Sequence, residues 1–138
     1  MEVIIMGEFG NTAVKAAGLL QNNKNLCPKK AWDKEISDTN LSASSQKKAC
    51  PKWAFLGLCR KGLIPNTRVY KELPNKINGV YAVEACHILQ KWPQNESLPT
   101  QKALWEQVFQ NLKIDSKSLE GQLDVVFCLW RKELIRCQ

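Results

Sequence analysis

The amino-acid sequence predicts an all-α single domain of about six helices, built as two pseudo-equivalent three-helix repeats. Three observations carry that prediction. The chain writes one helix ending twice: the apolar run WAFLGLC at 53–59 leads into RKGLI, and VVFCLW at 125–130 leads into RKELI, an offset of 71 residues. Earlier in each half, AVKAAGLLQ (13–21) aligns with AVEACHILQ (82–90) at an offset of 69, and KKAWDKEI (29–36) with KALWEQVF (102–109) at 73 when Trp32 is set on Trp105. Matches in one order with nearly constant offsets are the mark of a tandem duplication. Finally, Tyr81, Ala85, Ile88 and Leu89 recur at helical intervals, with Glu84, His87 and Lys91 on the opposite stripe.

On this reading repeat one spans 11–64, a linker loop 65–79 and repeat two 80–136. The first helix is the Ala- and Leu-rich stretch around 13–21. Pro28 is placed to open the second, since a first-turn residue has no intrahelical use for an N–H. Pro51 opens the third in the same way, and Gly62 after Arg60 and Lys61 supplies its stop. In the linker, PNTRVYKELPNKING, two Pro, three Asn and a Gly favour loop over helix. The fourth helix follows the periodicity of 81–90. Pro99 precedes the fifth, where Leu104, Val108 and Leu112 share a face. WAFLGLC and VVFCLW are apolar all round, which a surface helix cannot be, so they are expected at the centre, with Gly57 and Cys128 as equivalent small residues facing one another.

Composition sets the outer limits. At 138 residues with 44% apolar residues and five Trp, the chain is far from the composition of disorder, and folding is expected to bury roughly 70% of its surface. No run approaches the ~18 apolar residues of a membrane helix, and MEVIIMGEFG has too short an apolar patch for a signal peptide. A cytoplasmic protein is expected, with Met6 as an alternative start and no membrane partner. The six cysteines then read as thiols. With no CxxC and one histidine, neither metal nor cofactor is expected.

The string CPKWAFLGLCRKGLI, with NGVYAVEACHIL and QLDVVFCLWRKELI after it, resembles a family of small bacterial proteins of unknown function with a CPK-x-AFLGLC-x-x-GL core. Residues 50–52, 54–59, 62 and 63 match that core. Trp53 stands where the pattern has a smaller residue, and Arg60 and Lys61 where it has an acidic one. The resemblance implies no activity and no catalytic residue.

Charge and chemistry point to candidate sites. Residues 1–69 carry a net +6 and residues 70–138 a net +1, so the basic excess belongs to the first half. Lys47, Lys48, Lys52, Arg60 and Lys61, with Arg68, Tyr70 and Lys71 from the linker, are the candidate binding residues for a protein or a nucleic-acid backbone. Cys50 is the candidate nucleophile: a helix N-terminus beside Lys47, Lys48 and Lys52 favours thiolate. Its lack of a neighbouring base makes a thiol enzyme the alternative rather than the first reading. His87 is read as solvated, and Asp124 as a favourable acid in a helix first turn. No catalytic triad, phosphate loop or carboxylate pair is present in motif form, so a non-enzymatic binding or adaptor module is expected, of undetermined oligomeric state.

Overall fold

A computed structural model describes residues 7–137; the alternative start at Met6 lies outside them. The described residues form helices and no strand: α1 (Glu8–Asn22), α2 (Pro28–Ser37), a single turn α3 (Ala43–Gln46), α4 (Ala49–Arg60), α5 (Ile77–Gln90), α6 (Gln101–Leu112) and α7 (Gln122–Arg131).

The twice-written ending is a twice-used stop. Gly62 takes φ +71°, and the N–H groups of Gly62 and Leu63 return to the carbonyls of Cys59 and Leu58. At the other site Glu133 takes φ +57°, and Glu133 and Leu134 donate to Trp130 and Leu129. Both are Schellman closures, which satisfy the last carbonyls of a helix and reverse the chain. Ile64 and Ile135 then drop into the core, so RK-LI encodes a cap followed by an anchor.

Helices α4 and α7 sit at the centre: α4 packs on α2, α5 and α7, and α7 also covers α1 and α5. Their partners run parallel to them. Gly79 near the start of α5 meets Gly57 and Trp53 of α4, while His87 near its end borders the same cavity as Lys61. Likewise Gly10 meets Cys128 and Asp124 of α7, while Gln21 and Leu134 share a hollow at the far end. Parallel packing of consecutive helices explains the long linker. The chain must return along α4, about 18 Å at 1.5 Å per residue, before α5 can start. The return is anchored by buried Tyr70 and Leu73, and the linker ends at Lys76 rather than at 79.

Other expectations are corrected in detail. Pro51 is the third residue of α4, not the first, and still lies in the turn where its missing N–H costs nothing. Thr100 caps α6 by accepting from the Ala103 N–H, with Pro99 one residue outside. Gly57 faces Gly79 rather than Cys128; the close partner of Cys128 is Gly10. Trp32 packs on Phe55, whereas Trp105 stacks edge-on with Tyr81 and Phe109 and donates to the Lys117 carbonyl, so their surroundings differ. Six thiols were expected, but Cys86 and Cys137 are joined as a disulfide, their Cα atoms 6.6 Å apart. After the second stop the C-terminal segment runs back over α5, a juxtaposition that 51 residues of separation hide in the sequence.

Candidate functional site

The eight predicted binding residues do not form one face. Lys47 and Lys48 are exposed where α4 begins, and Lys61 where it ends, so the length of the helix separates them. Lys52 is paired with Asp33 at 2.9 Å. Arg60 donates from Nε to the Leu73 carbonyl at 3.0 Å, which fastens the linker to α4. Arg68 grips both carboxylate oxygens of Glu72 and lies 4.1 Å from the Tyr70 ring centroid. That donor pair holds the Glu72 carboxyl below its ordinary range. Tyr70 is a core residue, fully buried, and burial pushes its phenol up. Lys71 is exposed. Lys29 and Lys76, also part of the basic half's surroundings, both lie against the ring of Trp53.

Cys50 is half-buried at the start of α4, its Sγ 3.8 Å from Glu120 Oε2. The thiol is pushed up, first by burial and then by the Glu120 carboxylate; Asn78 and Lys48 oppose this and lose. The lysine-flanked helix start was expected to do the reverse. Desolvation and one close carboxylate outweigh ammonium groups that reach into water. Asp124 has a more specific role than a first-turn acid. Its carboxylate accepts from the N–H groups of Gly7 and Gly10, at 3.2 and 2.8 Å, and so caps α1 from α7. Cys128, under that carboxylate and buried, is pushed up to about 12, burial being the larger cause.

What α4, the linker and α5 do bring together is a cavity of about 310 Å³. Gly57 and Gly79 line it, and at neither position is there room for a Cβ, because the two backbones lie against each other. Val80, Val83 and Leu112 supply apolar walls, and Lys61, Asn75, Glu84 and His87 supply polar groups. Glu84 is held on two sides: Asn111 Nδ2 donates to Oε1 at 3.4 Å, and Oε2 lies 4.0 Å from His87 Nδ1. Asn111 is itself fixed by Gln107, whose Nε2 donates to its Oδ1 at 2.7 Å. Lys61 has no acidic partner among the described residues. Only Lys61 of this set was singled out from sequence. Glu84 and His87 fell on a stripe that reads as solvated, and nothing local to Gly57 or Gly79 announces that they meet.

Among the described residues no three His, Cys, Asp or Glu side chains are grouped so as to hold a metal ion, and no helix is long and apolar enough to cross a membrane. No curated protein and no solved structure matches the chain. A family model does, over residues 6–136, which takes in all seven helices, both Schellman stops and the cavity. The chain therefore belongs to DUF6979, a family of unknown function.

Proposed function

We propose that this protein is a small non-enzymatic binding module, made by duplication of a three-helix unit, whose working face is the α4–α5 cleft. Support for the duplication comes from paired details at the expected offsets. Gly62 and Glu133 are the left-handed residues of the two stops, and Gly10 and Gly79 are the points where α1 meets α7 and α5 meets α4. Exchanging the halves turns the α1–α7 contact into the α5–α4 contact, and α1–α2 into α5–α6.

The observation that carries the binding reading is the cleft itself. An unpaired Lys61 ammonium and a braced Glu84–His87 pair stand over an apolar pocket at the small end of the roughly 300–1,000 Å³ range of ligand sites. The nucleic-acid alternative has less support, since Lys52 and Arg68 are engaged with carboxylates and the remaining lysines lie at opposite ends of α4. The thiol-enzyme alternative has least, since Cys50 is held as thiol beside a carboxylate.

The test is to add native cell extract, before and after nuclease digestion, to ¹⁵N-labelled protein. Amide shifts at Gly79, Val83 and His87 that survive digestion are the expected result. Shifts confined to Lys47, Lys48 and their neighbours, and abolished by nuclease, would replace this reading with the nucleic-acid one.

A further inference from the structure

The cleft also states what kind of ligand it suits, an inference that rests on the binding-module reading. We infer that the α4–α5 cleft takes a small organic monocarboxylate with a short branched aliphatic body. The body is dictated by the walls. Val80, Val83 and Leu112 line the cavity beside two glycines that offer backbone and no side chain, so burial of a compact aliphatic group is favourable there. The volume, about 310 Å³, holds a short branched group with space to spare.

The charge is dictated by the rim. Lys61 brings an ammonium with no acidic partner among the described residues, and the Asn75 amide brings neutral donors. Glu84 is the one acidic residue of the described lining; its Oε1 accepts from Asn111, and Oε2 lies 4.0 Å from His87 Nδ1. His87 also lines the cavity, where an imidazole N–H is a further donor to a ligand. One free ammonium beside one braced carboxylate suits a single negative charge; a dianion would be repelled by Glu84 without a second cation to hold it. The α1–α7 crossing supplies a contrast. There Gly10 packs on the Cys128 side chain where Gly79 packs on the Gly57 backbone, and neither glutamate nor histidine occurs at the aligned positions, which are Lys15 and Gly18. The fold therefore does not require the polar set at the α4–α5 crossing.

The experiment titrates the full chain with isovalerate and follows the amides of Gly79, Val83 and His87. Isoamyl alcohol removes the charge, acetate removes the body, and inorganic phosphate offers a larger charge with no body. Isovalerate is expected to bind at least about tenfold more tightly than each of the three, since a hydrogen-bonded charge contributes that much against the alcohol and the buried aliphatic carbons that much against acetate and phosphate. Lys61→Gln is expected to weaken it about tenfold, Val83→Phe to abolish it by filling the pocket, and the Lys47→Gln, Lys48→Gln double variant to leave it unchanged. Lys61 is exposed, so its replacement keeps the fold and is the decisive arm if Val83→Phe melts early. Equal binding of isoamyl alcohol, tighter binding of phosphate, or undiminished binding by Lys61→Gln overturns the assignment. If isovalerate leaves the cleft unmoved while extract still shifts it, the ligand class is wrong and the binding-module reading stands; if neither moves it, both fall.

Discussion

Cys50 shows how a residue-level inference turns on what lies across the fold. Its flanking lysines and helix start are readable in the sequence, but Glu120, 70 positions away, is not, and with burial it sets the sign of the shift. The thiol is raised, so the thiolate fraction at neutral pH is smaller than that of an ordinary exposed cysteine and grows as pH rises. Alkylation of Cys50 by iodoacetamide at pH 7 is therefore expected to be slower than that of a model thiol. Glu120→Gln removes the repulsion, lowers the thiol's pKa and should speed the reaction by about two- to fivefold. A Cys50 faster than the model thiol at pH 7, with no response to Glu120→Gln, would restore the activated-thiol reading. Asp124 repeats the lesson: a first-turn acid was legible, whereas its service to the N-terminus of α1 depends on a contact 114 residues apart.

Among the elements, α4 and α7 were legible as central because apolar residues on every face leave no side for water. The first stop was legible because a glycine after a basic last turn commonly ends a helix; the left-handed Glu133 of the second was not, since nothing in its residue type announces a positive φ. Helix partners were not, since nothing local to Gly57 distinguishes Gly79 from Cys128 as its neighbour. The α4–α5 crossing gives the test. A Cβ at Gly57 falls within 3.0 Å of the Gly79 carbonyl oxygen and closer still to its Cα, and backbone cannot turn aside as a side chain can. Gly57→Ala is expected to destabilise by about 1–3 kcal/mol despite alanine's better helix propensity. Gly18 of α1, whose added Cβ would meet nothing within 4 Å, is the control: Gly18→Ala should stabilise by about 0.5–1 kcal/mol. Urea melts of both variants measure the contrast, and equal effects would mean that the crossing is not close-packed.

For the whole molecule, the all-helical class and the 3 + 3 order of long helices came from period and punctuation, both local properties. The parallel pairing and the cleft it opens did not, because each joins residues that no short window contains. The C-terminal segment belongs to this scale. The Arg136 N–H donates to the Leu63 carbonyl at 2.8 Å, tying the end of one half to the end of the other, and Cys137 joins Cys86 beneath. A cross-link over 51 residues restricts the unfolded chain, and the expected cost of reducing it is about 2–4 kcal/mol. Denaturation with and without a thiol reductant measures it; coincident midpoints would show the bond to be absent or without effect.

Pairing the first helix with the last has a consequence for the order in which this protein is made. α1 leaves the ribosome well before the helix that covers its Ala13–Leu20 face, which ends only at Arg131. At ~5–20 residues per second the delay between them is roughly 5–20 s, long beside the microseconds in which a helix forms. During that interval the stripe of α1 that faces α7 is uncovered, whereas α4 and α5, neighbours in sequence, can pair as soon as both are made. The α1–α7 contact is thus expected to be the later of the two parallel pairs to become insensitive to a protease or a chaperone.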